Sequence, residues 1–196
     1  MLKNSHNTYG SVAKWLHWLT ALWVLAAYAS ILYLDWVYDG KGPMRGLFLR
    51  YHKGIGFSVL IFVILRLYWR LTNPTPALPA SMPKWQIGAS HISHLLLYCF
   101  LITMPLSGYI GNSNGVDYVL FKITPFKDTD IGMWLMNVVG MPYEQFEVAF
   151  DSFHYRIVGP YIFWVIIAAH ALAGLYHHYI EKDDVLTRML PQKTKR

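Results

Sequence analysis

Residues 157–180 of the chain read IVGPYIFWVIIAAHALAGLYHHYI. No Lys, Arg, Asp or Glu interrupts this stretch, and at about 1.5 Å per helical residue it is long enough to cross the hydrocarbon core of a bilayer. His170 lies well inside it. An ionisable side chain is costly at that depth and is usually there for a function. We therefore predict a membrane-spanning helix that carries a functional histidine.

The composition of the whole chain agrees with a membrane protein. Of its 196 residues, 55% are hydrophobic and only 14% are charged, which is outside the usual balance of a soluble domain. The net charge of +6 does not indicate nucleic-acid binding, because Lys and Arg stand at the ends of apolar segments and form no basic run among exposed aromatics. With Cys99 as the single cysteine, an intrachain disulfide is excluded.

Three further apolar segments complete a bundle. We predict spans at about 15–34, 51–69, 91–111 and 156–180, and hence an all-α membrane protein with a four-transmembrane-helix bundle in one domain, 1–196. The second span has the weakest composition because Lys53 and Arg66 leave only 54–65 uncharged, but both side chains can extend to the interfaces. A signal peptide is the alternative for the first span, although apolar sequence continues past the candidate cleavage site.

The basic residues predict the orientation of the bundle. Most of the 17 Lys and Arg residues fall on the side that carries both termini and the Pro-rich stretch 73–83. Both termini are therefore predicted to be cytoplasmic by the positive-inside rule. On the opposite side lies a long outer segment, 112–153, in which Met133–Val139 is predicted to form a short interfacial helix.

Four histidines fall into two layers. His17 and His170, toward the ends of the first and fourth spans nearest the termini, form the inner layer; His52 and His154, on the side of the outer segment, form the outer layer. A pair of imidazoles on facing helices is what clamps a porphyrin by axial ligation. Because the sequence has no Cys-x-x-Cys-His, no thioether attachment is expected. We predict two b-type haems with these four histidines as iron ligands.

Other polar residues leave alternatives open. Taken singly, a membrane histidine also suits a hydrogen bond between helices. His91 and His94, at the start of the third span, could bind a metal, replace a predicted ligand, or hydrogen-bond to a propionate or quinone. Arg66 and Arg70 suit haem propionates and the positive-inside rule equally well. The histidines predicted to lie at the interface or outside the bilayer are His6, His177 and His178.

Five motifs are spread over the chain: KWLHW at 14–18, YHKGIG at 51–56, HISHLLLY at 91–98, MPLSG at 104–108 and HALAGLYHHY at 170–179. Together they resemble the bacterial cytochrome b561 family, whose members are four-helix di-haem proteins of the inner membrane. The resemblance implies that His17 and His170 bind the inner haem and that His52 and His154 bind the outer one. It also implies electron exchange with the quinone pool, with ubiquinone as substrate. Segment 112–153 has no counterpart in the pattern.

One spacing departs from that family. His154 and His170 are sixteen residues apart, which is about 160° around an uninterrupted α-helix, whereas the family keeps both ligands on one face. Gly159 and Pro160 lie between them, and proline kinks or restarts a helix. We predict that these two residues restore the register. Otherwise another group completes the outer haem.

Three functions fit these features. The first is a relay of single electrons through two haems, with superoxide as donor in part of the family; Lys53, Arg50 and Arg156 would attract that anion, and the activity would be that of a superoxide:quinone oxidoreductase. The alternative is a haem-bearing membrane anchor subunit that passes electrons from a partner dehydrogenase or hydrogenase. A haem-free transporter with a histidine proton relay is the third, but the spans lack the usual acidic residues.

Overall fold

The structure is a computed structural model that describes residues 1–37, 44–118 and 121–191. Its α-helices are α1 (Ser11–Leu32), α2 (Met44–Thr72), α3 (Lys84–Ile110), α4 (Asp130–Val139), α5 (Tyr143–Asp151) and α6 (Trp164–Tyr176). Three π-helical segments continue them: Tyr33–Val37 after α1, Ser152–Phe163 between α5 and α6, and His177–Glu181 after α6. Short 3-10 helices occur at Phe126–Asp128 and Thr187–Met189.

Four of the resulting helical stretches are long and apolar enough to cross a membrane: Ser11–Val37, Met44–Thr72, Lys84–Ile110 and Tyr143–Glu181. Only 11% to 17% of the residues in their most apolar windows are buried inside the chain. Most of their apolar side chains therefore face outward, which a soluble monomer does not tolerate and a bilayer requires. The prediction of a helical membrane bundle with four spanning helices is confirmed.

The fourth spanning helix begins much earlier than the sequence suggests. It starts at Tyr143, so about a quarter of the predicted outer segment 112–153 is helical and continuous with the span. Pro142 precedes it and has no N–H to leave unpaired at the helix start. The predicted interfacial helix at Met133–Val139 lies within α4. Thr129 caps the first turn of α4 through its hydroxyl, and Gly140 ends the helix with φ +66°.

The prediction of an all-α chain is wrong in one detail. Val116–Asp117 (β1) and Lys122–Ile123 (β2) form a small antiparallel hairpin. The Tyr118 hydroxyl lies 2.9 Å from the Ser58 hydroxyl of α2, and Asp117 forms an ion pair with Arg50 at 3.7 Å. These contacts with α2 accompany the pairing of the two strands. Strands of two residues show no periodicity, so the sequence could not predict them.

A small apolar core joins the spans. Its buried members are Val24, Val59, Val63, Leu101, Met104, Val158 and Phe163. In the last helix, Val158 and Phe163 stand between His154 and His170, and in α1 Val24 follows His17 by two turns. The core therefore separates the two histidine layers with side chains that exclude water.

Three chain segments meet over the inner ends of the spans. The Ala77 N–H of the Pro-rich connection donates to the His6 carbonyl at 3.1 Å. In α1, the Trp18 indole N–H donates to the Met189 carbonyl at 2.8 Å, which holds the C-terminal segment against that helix. The N-terminal segment, the Pro-rich connection and the C-terminal segment thus cover the side of the bundle nearest the inner layer.

Candidate functional site

The folded chain brings the predicted histidines together in two pairs. The ring centroids of His17 and His170 are 6.2 Å apart, and those of His52 and His154 are 6.0 Å apart. A metal ion with an imidazole nitrogen about 2 Å away on each side needs ring centroids about 6 Å apart, because each ring centre lies about 1 Å behind its nitrogen. Both separations would allow the two imidazoles of a layer to hold one metal ion between them.

The π-helical segment Ser152–Phe163 restores the register between His154 and His170. An α-helix turns about 100° per residue, whereas a π-helix, with its i→i+5 bonds, turns about 82°. Over the nine residue steps from His154 to Phe163, the π-helix therefore turns about 160° less than an α-helix would. This difference cancels the angle of about 160° that an uninterrupted α-helix would leave between His154 and His170. The correction is therefore a π-helix that contains Gly159 and Pro160, where the sequence suggested a proline kink.

Gly159 is needed for this segment. A Cβ at position 159 would collide with the backbone carbonyl oxygen of His154, and its next neighbour would be the Met104 side chain at 3.2 Å. Backbone atoms cannot move aside as a flexible side chain can. Tyr28 of α1 holds the same turn from outside, because its hydroxyl donates to the Gly159 carbonyl at 2.7 Å.

Removing the Tyr28 hydroxyl tests how much this contact stabilises the segment. We expect Tyr28→Phe to lower the free energy of unfolding by about 1 kcal/mol, which corresponds to about 3 °C in Tm for a chain of this size. Thermal unfolding in detergent measures the shift. Tyr161→Phe, at a side chain of the same helix that is 68% exposed, is the matched control and should leave Tm unchanged. Equal shifts would contradict the assignment.

Both outer-layer histidines use one ring nitrogen for the protein backbone. His52 Nδ1 lies 2.9 Å from the Ala27 carbonyl, and His154 Nδ1 lies 2.9 Å from the Met104 carbonyl. A carbonyl only accepts, so Nδ1 carries the proton in each ring. The unprotonated Nε2 is then left to bind a metal, as in most histidine-ligated metal sites.

Glycines make room around the outer layer. A Cβ at Gly108 would lie 2.8 Å from Cε1 of His154, so only glycine at this position of α3 allows the ring to approach. On α2, a Cβ at Gly56 would meet nothing within 4 Å among the described residues. The backbone of α2 is thus open beside His52, which suits the close approach of a flat macrocycle. The residues of the outer layer fit haem.

The inner layer contains a third histidine. His94 has its ring centroid 5.4 Å from that of His170, and its Nδ1 donates to the Ser90 carbonyl of its own helix at 2.7 Å. In contrast, His17 Nδ1 is buried without a hydrogen-bond partner in the described part of the chain. The described residues contain no group of three or more His, Cys, Asp or Glu arranged to hold a bare metal ion. Paired imidazoles of this kind suit an ion that brings its own equatorial ligands, as haem iron does.

Two arginines lie close to the inner layer. The guanidinium carbons of Arg66 and Arg70 stand 5.4 Å and 5.8 Å from the centre of the Tyr98 ring. Tyr9 lies nearby, and burial raises the pKa of its hydroxyl. Within the described residues neither arginine has a carboxylate at ion-pair distance. Both charges are thus available to an anionic group.

The outer-face cations differ in their surroundings. Lys53, next to His52, donates to the neutral amide oxygen of Asn112 at 2.7 Å. Arg50 and Lys122 both flank the carboxylate of Asp117, at 3.7 Å and 3.6 Å. A separate cavity of about 260 Å³ is lined by Arg156 together with the acidic Glu147 and Asp151. Of the three predicted cations, Arg50 is ion-paired with Asp117, whereas Lys53 donates to a neutral amide.

The last two histidines are engaged outside the layers. His177 Nδ1 lies 2.6 Å from the carboxylate of Asp183, and the His178 ring packs edge-on against Tyr179. Sequence reasoning missed other residues that touch the site: Ser30, Ser107 and Tyr28. No spacing rule singles them out, because their partners lie on other helices. Ser107 and Gly108 were part of the MPLSG motif, but their contacts with His154 were not expected.

The chain is similar in sequence to several known proteins. A family model described as prokaryotic cytochrome b561 matches residues 8–192. Cytochrome b561 homolog 1 of Escherichia coli (strain K12) is 31% identical over 195 residues, which cover 95% of this chain and 99% of that protein. Cytochrome b561 homolog 2 of the same organism is 30% identical over 194 residues, covering 95% and 93%. The probable superoxide oxidase CybB of Yersinia pestis is 26% identical over 192 residues, covering 96% and 98%.

The match is nearly as long as the chain, so it includes all four spanning helices and both histidine layers. It also includes the outer segment, for which the motifs alone offered no counterpart. Four apolar helices and bacterial relatives make this a bacterial membrane protein, and the family implies haem b binding and electron transport. The chain belongs to the prokaryotic cytochrome b561 family.

Proposed function

We propose that each histidine layer holds one b-type haem and that the protein transfers single electrons between its outer face and the quinone pool of the bacterial inner membrane. The observation that carries the proposal is the pair of centroid separations, 6.2 Å and 6.0 Å, at two levels of one bundle. Bound haem supplies a one-electron iron couple whose potential the protein adjusts. With both termini cytoplasmic, the outer layer faces the periplasm.

Within this proposal His17 and His170 ligate the inner iron, and His52 and His154 the outer one. The His94 ring lies 5.4 Å from that of His170, and its Nδ1 faces the Ser90 carbonyl. In this proposal His94 serves the inner site through a propionate or a quinone. Arg66 and Arg70, which lack carboxylate partners in the described residues, balance the charge of the propionates.

Visible spectroscopy of the purified protein tests the proposal. A reduced-minus-oxidised spectrum should show b-type bands, and a pyridine haemochrome assay should give two haems per chain. The isolated protein should also reduce ubiquinone when supplied with a one-electron donor. A purified, monodisperse protein without a Soret band would refute haem binding, and a ratio of one haem per chain would refute the second site.

Superoxide is the donor that we propose at the outer face. The relative described as a probable superoxide oxidase supports this choice, and so does Lys53, which lies next to His52 and donates to a neutral amide. Such a cation attracts a small anion to the edge of the outer site.

Neutralising Lys53 tests this attraction. Lys53→Gln should lower the rate of superoxide-dependent ubiquinone reduction about threefold at low salt and flatten its salt dependence. Stopped-flow kinetics over a range of ionic strength measure both effects. Lys122→Gln, at an 86% exposed side chain paired with Asp117, is the control. A rate that is unchanged in Lys53→Gln would contradict the role of this residue.

The alternative is a haem-bearing anchor subunit that accepts electrons from a partner dehydrogenase or hydrogenase. One observation favours a docking surface on the outer side: Ile131, Trp134 and Val138 of α4 are 70%, 62% and 62% exposed. The bilayer interface would cover such a surface equally well. Co-purification of a stoichiometric partner under mild solubilisation would support the anchor role. Efficient ubiquinone reduction by the isolated chain would count against it.

A further inference from the structure

The two outer-layer histidines are held in the same way by two different helices. On α1, the Ala27 carbonyl accepts hydrogen bonds from His52 Nδ1 at 2.9 Å and from the Ser30 hydroxyl at 2.7 Å. The Ser30 oxygen itself lies 3.3 Å from His52 Nδ1. The histidine N–H thus faces a carbonyl oxygen and a serine oxygen that are themselves hydrogen-bonded to each other.

The arrangement is repeated on α3. There the Met104 carbonyl accepts from His154 Nδ1 at 2.9 Å and from the Ser107 hydroxyl at 2.9 Å. The Ser107 oxygen lies 3.3 Å from His154 Nδ1. In both cases the serine follows the carbonyl residue by three positions, so one helical turn presents both oxygens. We name each of these a serine–carbonyl pair.

The inner layer is built differently. His17 Nδ1 is buried without a partner in the part of the chain that the structure describes. His94 Nδ1 lies 2.7 Å from the carbonyl and 3.4 Å from the hydroxyl of Ser90, a residue of its own helix. Among the described contacts, serine–carbonyl pairs supplied by a neighbouring helix thus occur at the outer-layer histidines. They come from α1 and α3, whereas the histidines that they contact lie on α2 and on the last helix.

These contacts affect how strongly each histidine donates electrons to a metal. Because each serine proton is directed at the carbonyl, the serine oxygen presents lone pairs to the imidazole N–H. Acceptors at Nδ1 increase the electron donation of the opposite nitrogen to a metal and fix the orientation of the ring. Stronger donation stabilises the oxidised iron and so lowers the reduction potential.

From this we infer that Ser30 and Ser107 are positioning residues for the outer haem: together they fix the tautomer and rotation of His52 and His154 and lower the potential of that haem. The inference rests on the proposed function, because it presupposes haem in the outer layer. A lower potential at the outer haem favours the transfer of an electron from the outer face to the inner haem.

A redox titration of single variants, followed by visible spectroscopy, tests the inference. The variants Ser30→Ala and Ser107→Ala should each raise the reduction potential of the same haem. The expected rise is about 28 mV for one electron, which is about threefold in the reduction equilibrium constant. The low-spin ferric EPR signal of that haem should also shift, because its imidazole planes are less constrained. Ser30→Thr keeps the hydroxyl and should retain the wild-type potentials.

The matched control is Ser58→Ala. Ser58 is also buried, and its hydroxyl bonds to the Gly54 carbonyl of its own helix and to the Tyr118 hydroxyl, away from both serine–carbonyl pairs. Both potentials should stay unchanged in this variant. A shift equal to those of the two test variants would mean that any buried serine has this effect, and would overturn the inference.

The remaining outcomes separate the inference from the proposed function. A single potential and one haem in the wild type would refute the two-haem function itself. The inference would be overturned if neither test variant changed either of the two wild-type potentials, or if the two variants changed the potentials of different haems. The proposed function would still stand in both cases. Loss of the same single haem in both variants would support the shared site, because it shows that the serines hold the histidines in place.

Discussion

The variant His170→Leu is expected to retain one haem per chain instead of two. Leucine removes one of the two imidazoles that face each other across the inner layer, 6.2 Å apart, and gives the iron no replacement ligand. Changes to outer-shell partners of metal ligands already cost about 10–100-fold in affinity, so losing the ligand itself should empty the site during purification. A pyridine haemochrome assay against protein concentration measures the ratio.

Two further variants make this result specific. His154→Leu should also leave one haem, but with the other of the two wild-type potentials, since His154 faces His52 in the outer layer. His178→Leu, whose ring packs on Tyr179 outside the layers, is the control and should retain both haems. Two haems in His170→Leu would exclude axial ligation by this residue. In that event, haem loss in His94→Leu would identify His94 as the inner ligand.

The second large effect is expected from Gly159→Ala, which should cost the protein its outer haem. The added Cβ would collide with the His154 carbonyl oxygen, so the π-helical segment has to tighten toward α-helical geometry. That change would restore the offset of about 160° between His154 and His170, and His154 would turn away from His52. The haem ratio should fall toward one while the inner haem keeps its potential.

Gly46→Ala is the matched control for this substitution. Gly46 is also a helical glycine, and a Cβ there would meet nothing within 4 Å among the described residues. Alanine at such a position is expected to be neutral or to stabilise the helix by about 0.5–1 kcal/mol. A Gly159→Ala protein that keeps two haems with unchanged potentials would show that the π-helix does not set the position of His154.

The sequence was informative wherever the signal is local to one stretch of chain. Residues 157–180 predict a span because hydropathy is summed along consecutive residues, and His170 stands out there because ionisable groups are rare in such stretches. Grouping His17 with His170 and His52 with His154 needed only the alternation of helices across the membrane. The ring contacts of 6.2 Å and 6.0 Å agree with that grouping.

Other features depend on atoms that are distant in sequence. Ser30 and Ser107 resemble any other helical serines until α2 and the last helix bring His52 and His154 against them. Likewise, the position of Arg66 beside Tyr98 depends on the packing of α2 against α3. No periodicity within one helix encodes such contacts, because they are set by the rotation of two helices relative to each other.

What the sequence by itself determined is therefore the number of spanning helices and the membership of the two histidine layers, because both follow from hydropathy and order along the chain. Only the tertiary structure decided how His154 reaches its layer. A run of i→i+5 bonds around Gly159 turns the helix by the missing angle. The backbone adopts that geometry where Tyr28 and Met104 of neighbouring helices bond to it and to His154.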